Sequence, residues 1–229
     1  MIINNEFYNN VTGLIVSFIF LLSILIIGYL LSKSNSFSSE IVRKFIHIGV
    51  SNWYFIYSKY LTRIEFSIIG PGAFIVLNSL ATFLGWTRYF KLNDKRRNYG
   101  LIYFPISLVI LIIFNHYNVI PKYVVGVACL VMGYGDGLAA LMGMKFGRKR
   151  IFTNKTYVGS ITMFSVTITI MYLFSYYYSL YWFDTFEKTF SFIVLSLVLT
   201  IIEMMTPFGL DNLTVPLSTA FGIYLLSKH

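Results

Sequence analysis

The sequence predicts an all-α fold, a polytopic transmembrane helical bundle of about eight (7–8) spans, from three observations. The chain has 229 residues, of which 57% are hydrophobic and only 12% are charged, whereas a soluble domain carries roughly 25% charged residues. Apolar runs of about 20 residues, long enough to cross a bilayer, recur along the chain. These runs lack the strict alternation of barrel strands. A soluble globular protein is therefore excluded.

The apolar runs predict the spans in order. The first transmembrane helix covers 11–31, and the residues before it include Glu6 but no Lys or Arg, so it lacks the charged start of a cleaved signal peptide and we expect it to be retained. Further stretches lie at roughly 44–58, 64–86, 101–117, 120–143, 157–181, 189–205 and 212–227. The polar segments between them are too short to bury a core. We expect a single integral membrane domain over 1–229.

The distribution of basic residues predicts the orientation, because short cytoplasmic loops are enriched in Lys and Arg. With the N-terminus outside, 13 of the 18 basic residues fall on the inner side. These are Lys33, Arg43, Lys44, Arg88, Lys91, Lys95, Arg96, Arg97, Lys145, Arg148, Lys149, Arg150 and Lys155. The outer side keeps Lys59, Arg63, Lys122, Lys188 and Lys228. The sequence thus predicts an extracytoplasmic N-terminus.

Charge and cysteine content narrow the function classes. The formal net charge is +9, a value that suits an anionic lipid surface, a phosphorylated ligand or topology alone. Because the cations cluster in loops on one side, we expect the bilayer as a partner and no nucleic acid. Cys129 is the single cysteine, which excludes an internal disulfide and a Cys-rich metal site.

Ionisable residues within or at the ends of spans are the first candidates for function, because lipid makes such groups costly. His47, Asp136, Glu203 and Asp211 qualify, and the topology places all four toward the inner side. A buried carboxylate must be protonated, paired or bound to a cation. We therefore expect Asp136 to bind metal, and Mg²⁺ is the hard ion that suits carboxylates together with phosphate oxygens.

Small residues surround Asp136, and basic residues follow it. Gly133 and Gly137 form a small-xxx-small pair that favours helix packing, while glycines here also permit close approach of a ligand to the backbone. The downstream cations are suited to a triphosphate and equally to anionic lipid. These cations are Lys145, Arg148, Lys149, Arg150 and Lys155.

Two further segments carry candidate residues, each with a structural alternative. Lys155, Thr156, Gly159 and Ser160 stand at the start of a span, where a helix N-terminus favours phosphate, although Thr156 also suits an ordinary N-cap. At the start of the second span, we expect Arg43 and Lys44 either to contact phosphate or to snorkel to the surface. For His47 the alternatives are a proton acceptor, a phosphate contact or a side chain packed in the bundle. Asp211 and Asn212 form a functional pair or cap a helix.

Several segments, taken in order, resemble one known family. Arg43 to His47 is similar to its RKxxH segment, Asn98 to Pro105 to its yGxxyFP stretch, Gly135 to Gly147 to its GDGxAxxxGxxxG segment, Lys155 to Ser160 to its K[ST]xEG[ST] motif, and Glu203 with Gly209 to Pro216 to its closing acidic and DNxxxP region. The family comprises the phytol, polyprenol and dolichol kinases, with the related CTP-dependent diacylglycerol kinases and the more distant phosphatidate cytidylyltransferases. The resemblance covers about 40–218.

One position departs from that pattern. The family usually has Glu where Val158 stands. If this Glu binds metal or orients a phosphate, another carboxylate must replace it here. Glu203, Asp211 and Glu40 are the candidates.

The resemblance implies transfer of the γ-phosphate of CTP, or of ATP or UTP, to a membrane-dissolved isoprenoid alcohol, with Mg²⁺ as cofactor. It implies catalytic roles for Asp136, Lys155 and His47, with Asp211 and Glu203 beside Asp136 at the metal. The expected nucleotide-binding residues are Arg43, Lys44, Gly135, Gly137, Lys145, Arg148, Lys149, Thr156, Gly159 and Ser160. Since the nucleotide is cytosolic, we expect an integral membrane protein with its active site on the cytoplasmic face.

Other functions stay open from the sequence. A cytidylyltransferase would use similar Mg²⁺ and cationic groups to attack the α-phosphorus, and a CTP-dependent diacylglycerol kinase would take a different lipid. A lipid or ion transporter would need ionisable groups spaced across the bilayer, whereas those here lie toward one face. Chain length of the alcohol and oligomeric state, including a homo-oligomer, are also open.

Overall fold

A bundle of α-helices with one short β-hairpin makes up the described part of the chain, which in this computed structural model is residues 2–34, 36–90, 98–152 and 155–227. The elements up to residue 90 are α1 Ile2–Lys33, α2 Ser39–Ser51, α3 Trp53–Tyr60, α4 Ile64–Ser67, α5 Ile69–Phe83 and a 3₁₀ segment, Trp86–Phe90. The next are α6 Gly100–His116, α7 Lys122–Leu130, a π-helical segment Val131–Asp136 and α8 Gly137–Phe146. The remainder are β1 Arg150–Phe152, β2 Lys155–Thr156, α9 Tyr157–Tyr177, α10 Phe186–Met205 and α11 Asp211–Leu226. Lys91, Lys95, Arg96, Arg97 and Lys228, which the orientation argument used, lie outside the described residues.

Every predicted apolar stretch coincides with helix. Within the described ranges, five helical stretches are long and apolar enough to cross a membrane. They are Asn5–Lys33, Ile64–Phe83, Lys122–Phe146, Tyr157–Tyr177 and Phe186–Met205, and Gly100–His116 is a shorter apolar helix. The all-α class is confirmed, while the count of eight spans and the outer N-terminus stay predictions.

The predicted span at 44–58 is interrupted at Asn52, between α2 and α3. The Asn52 side-chain amide donates to the Ile48 carbonyl at 2.8 Å, which competes with the helical backbone. Its oxygen accepts from the Tyr134 hydroxyl at 3.0 Å. The break is thus held in place by the neighbouring π-helical segment.

The stretch Lys122–Phe146 forms the centre of the bundle, since most of its side chains are buried. Its small residues let α2 approach closely. A Cβ on Gly133 would lie 2.2 Å from the Ser51 hydroxyl oxygen, and one on Gly137 would lie 2.5 Å from Ile48 Cγ1. This close packing brings the polar residues of α2 beside Asp136.

The outer faces of the bundle are apolar. On α1, large side chains such as Phe18, Ile19 and Leu22 are exposed, and α9 and α10 expose aromatic and aliphatic side chains in the same way. Exposing a contiguous apolar surface of this extent to water is unfavourable, whereas contact with lipid covers it. Together with the five long apolar helices, it indicates an integral membrane protein.

Candidate functional site

A polar pocket of about 710 Å³ opens where α2, α8, the hairpin and the facing ends of α9, α10 and α11 meet. Most of the predicted site residues line it. They are Arg43, Lys44, Asp136, Lys155, Thr156, Gly159, Ser160, Glu203 and Asp211. Residues far apart in sequence therefore converge on one site, as their shared inner position predicted.

Three buried carboxylates form the centre of this pocket. Asp136, Glu203 and Asp211 each offer one oxygen, and these oxygens lie within 4.8 Å of one another. Carboxylate oxygens at this spacing are the hard ligands that Mg²⁺ prefers. The three predicted metal ligands therefore fit a divalent cation in both chemistry and placement.

Two lysines neutralise the carboxylates. The Lys44 ammonium donates to Asp136, and that of Lys155 donates to Glu203; Lys155 Nζ also lies 3.8 Å from Asp211 Oδ2. Burial by itself lowers the pKa of Lys155, but the surrounding carboxylates outweigh this effect and raise it. Lys155 is therefore held charged at the pocket, where a phosphate group would meet it.

A tight chain reversal places Glu203 and Asp211 together. Glu203 lies in the last turn of α10, and Asp211 is the first residue of α11. Between them Phe208 and Gly209 adopt positive φ values of 59° and 81°, a left-handed conformation that glycine adopts readily. The reversal brings two residues separated by eight positions into the same cluster of carboxylates.

The hairpin positions Lys155 at the mouth of α9. Thr156 is the N-cap of that helix and accepts from the Gly159 amide at 3.1 Å, so the capping interpretation of Thr156 is correct. The turn packs tightly against α8, because a Cβ on Gly143 would lie 2.8 Å from the Thr156 hydroxyl oxygen. Arg150 at the start of the hairpin also lines the pocket.

Five of the predicted nucleotide-binding residues do not line the pocket. Lys145, in the last turn of α8, and Arg148 and Lys149, just after that helix, are exposed and outside the pocket lining. Gly135 and Gly137 are buried in helix contacts, and a Cβ on Gly135 would lie 2.6 Å from the Met163 sulfur. For these two glycines the packing interpretation describes their observed contacts.

Val158 occupies the first turn of α9, half-buried and outside the pocket lining. The three carboxylates considered as replacements, Glu40, Glu203 and Asp211, all line the pocket. Glu40 forms an ion pair with Arg43 at 2.5 Å. Glu203 and Asp211 therefore lie in the carboxylate cluster with Asp136, whereas Glu40 pairs with Arg43.

A second, apolar cavity of about 650 Å³ lies between α1, α2, α5 and α6. His47 lines it, with its ring edge-on to Phe104 at 5.0 Å between centroids. Its buried Nε2 has no hydrogen-bond partner among the described residues. Nε2 lies 3.9 Å from Asp136 Oδ2, in the wall of the polar pocket.

The walls of the two cavities also approach each other at a second point. A Cβ on Gly100, which lines the apolar cavity, would lie 2.8 Å from Asn212 Nδ2 and 3.3 Å from Gly209 Cα in the polar pocket. Sequence reasoning missed most of the apolar cavity, including Gly70, Phe74 and Asn78. In a chain rich in apolar residues, those that line a cavity carry no distinguishing signal.

Known proteins resemble the chain over most of its length. It is 26% identical over 225 residues to a phytol kinase of Synechocystis sp., covering 89% of this chain and 88% of the relative. It is 30% identical over 214 residues to phytol kinase 1, chloroplastic, of Arabidopsis thaliana, covering 85% and 69%. Against farnesol kinase, chloroplastic, of Arabidopsis thaliana it is 25% identical over 214 residues, covering 86% and 68%.

No protein-family model matches the chain, and no solved structure matches it. The three relatives are kinases by name, and none is a cytidylyltransferase or a transporter. The identity of 30% with phytol kinase 1 extends over more than two thirds of both chains. The chain therefore belongs to the phytol and polyprenol kinase family and is a phosphotransferase that acts on an alcohol group.

Proposed function

We propose that the protein transfers the γ-phosphate of a nucleoside triphosphate, CTP or another NTP, to an isoprenoid alcohol of the phytol, geranylgeraniol or polyprenol type. The products are a prenyl monophosphate and a nucleoside diphosphate. The single observation that carries this proposal is the closeness of the two cavity walls at His47 and Asp136, whose Nε2 and Oδ2 atoms lie 3.9 Å apart. A polar donor and an apolar acceptor thereby have separate sites with a common reaction point.

The polar pocket takes the nucleotide and the metal. Arg43, Lys44 and Lys155 supply positive charge for the phosphates, with Arg150 beside them. Asp136, Glu203 and Asp211 would hold Mg²⁺, which when bound neutralises charge on the phosphate oxygens. The lysines exchange a carboxylate for a phosphate oxygen when nucleotide binds.

The transfer step requires alignment more than covalent chemistry. The alcohol oxygen forms a bond to the γ-phosphorus while the bond from that phosphorus to the β–γ bridging oxygen breaks. His47 Nε2 accepts the hydroxyl proton, since it is buried, has no hydrogen-bond partner among the described residues and belongs to a side chain that lines the apolar cavity. The nucleoside diphosphate leaves on the polar side.

The location of the site in the membrane is also a proposal. Nucleotide is cytosolic, and an isoprenoid alcohol orients its hydroxyl toward the headgroups, so a site at the cytoplasmic ends of the helices is reached by both. The concentration of Lys and Arg in loops on one side of the predicted spans supports this orientation, in which the N-terminus lies outside.

The test is label transfer with purified protein in lipid, Mg²⁺ and geranylgeraniol. CTP labelled at the γ-phosphate is compared with CTP labelled at the α-phosphate, and ATP and UTP serve as alternative donors. We expect γ-label, and no α-label, in the lipid product. Appearance of α-label on a lipid phosphate would instead identify a cytidylyltransferase, and transfer only to diacylglycerol would identify a different acceptor.

A further inference from the structure

The apolar cavity has a closed end and an open end. At the closed end Trp53 and Leu108 are almost completely buried beside Gly70. At the other end Trp86 and Tyr89 are about half exposed. An isoprenoid chain that enters at the open end must stop at the closed one.

The residues of the closed end are held rigidly. Trp53 donates its indole N–H to Ser17 Oγ at 2.8 Å and stacks on Tyr57 with centroids 5.6 Å apart. Gly70 faces the Trp53 ring, and a Cβ built on it would lie 3.6 Å from Trp53 Cζ2, an ordinary contact. The absence of a side chain at position 70 therefore leaves space in the cavity itself.

The size of the cavity limits the length of chain that fits. Gly70 and Ala81 both line it from α5, and eleven residues of helix rise about 16 Å. An isoprene unit adds four main-chain bonds of about 1.5 Å, or roughly 5 Å when extended, so about three extended units match the length of the cavity along α5. A water-sized group occupies about 30 Å³ in a liquid. By that measure, the cavity volume of about 650 Å³ is enough for the carbon atoms of about four isoprene units.

We infer that Gly70 sets the acceptor length: with Trp53 it forms the end of a cavity for alcohols of three to four isoprene units and excludes long polyprenols. This inference rests on the proposed function and deepens it. The hydroxyl lies at His47, whose Nε2 is 3.9 Å from Asp136 in the wall of the polar pocket, and a chain that fills the cavity reaches Gly70. A larger side chain at position 70 fills the space of the last isoprene unit.

The experiment compares alcohols of two, three, four and eleven isoprene units as acceptors in the γ-label assay. For the natural chain we expect the highest kcat/KM at three or four units and a value at least about 10-fold lower at eleven. In Gly70→Leu, kcat/KM for the four-unit alcohol falls about 10- to 100-fold, while that for the two-unit alcohol is retained. Gly72→Leu is the matched control, because a Cβ there meets nothing within 4 Å.

Equilibrium binding of a labelled four-unit alcohol without nucleotide gives a readout independent of transfer. Gly70→Leu is expected to weaken it, and Gly72→Leu is not. If Gly70→Leu fails to fold, Gly70→Ala tests the same point with a smaller shift toward short alcohols. Equal transfer to four and eleven units, or a uniform loss for all lengths in the Gly70 variants, overturns the inference while the kinase proposal stands. No transfer to any alcohol, with length-dependent binding preserved, overturns the kinase proposal alone.

Discussion

His47 Nε2 lies 3.9 Å from Asp136 Oδ2 although the two side chains line different cavities. His47 lines an apolar space between α1, α2, α5 and α6, and Asp136 lines a polar one together with the buried carboxylates Glu203 and Asp211. A phosphoryl transfer between a lipid and a nucleotide needs such a boundary, because neither substrate is stable in the other's environment. Substitutions in the apolar cavity and substitutions in the polar pocket should therefore have different effects on the kinetics of transfer.

Asp136→Asn should lower kcat by at least about 100-fold, because a metal ligand contributes several kcal/mol of charge stabilisation. It also leaves Lys44 buried without its ion-pair partner, so folding must be checked by size-exclusion profile and helical circular dichroism. Asp184→Asn is the control, since Asp184 is an exposed carboxylate also paired with a lysine. Normal turnover by well-folded Asp136→Asn would exclude the metal assignment.

His47→Ala should lower kcat by about 10²- to 10⁴-fold while the KM for nucleotide stays nearly constant, because proton acceptance is lost and the phosphate site is not. The pH dependence of kcat should also change, since the group that accepts the proton is removed. His116→Ala is the control, as His116 lies in the last turn of α6, away from both cavities. A raised KM for nucleotide with unchanged kcat would reassign His47 to phosphate binding.

Lys155 and Glu203 should be energetically coupled. Lys155→Met leaves a buried carboxylate uncompensated, and removing one partner of such a pair destabilises by about 3 kcal/mol or more. The double variant Lys155→Met with Glu203→Gln should regain much of that thermal stability. The Asp184 and Lys188 pair, which is exposed, should show coupling of about 1 kcal/mol or less. Additive losses at Lys155 and Glu203 would contradict the pairing.

Metal and nucleotide should bind cooperatively. Lys44 and Lys155 already contact the carboxylates that would hold Mg²⁺, so metal binding requires the ammonium groups to move to phosphate oxygens. Mn²⁺ followed by electron paramagnetic resonance should therefore bind at least about 10-fold more tightly when a non-hydrolysable CTP analogue is present. Chelation of the metal should abolish transfer. Equal Mn²⁺ affinity with and without the analogue would count against this exchange.

The exposed basic residues at and just after the end of α8 should matter little to turnover. Replacing Lys145, Arg148 and Lys149 together by Gln should change the nucleotide KM by less than about 3-fold at physiological salt, because exposed charges outside the pocket are largely screened. Lys155→Met in the same assay should raise it far more. A large rise for the triple variant would return these residues to the nucleotide site.

Composition and local pattern determined the class of this protein without reference to its structure. The hydrophobic fraction and the long apolar runs predicted helices at every stretch where the structure has them, because burial in lipid demands internally bonded backbone. The rarity of ionisable groups in such runs also singled out His47, Asp136, Glu203 and Asp211 before any contact was known. All four lie at the two cavities.

Only the tertiary structure decided how those residues are partnered and what surrounds them. The ion pair of Lys44 with Asp136 joins residues 92 positions apart, and the break of the second predicted span at Asn52 depends on a hydrogen bond from Tyr134. The apolar cavity and the role of Gly70 had no local signal, since every helix here is rich in apolar residues. Whether an apolar residue faces lipid, a neighbouring helix or a cavity depends on how the helices pack, and this is a property of the assembled bundle.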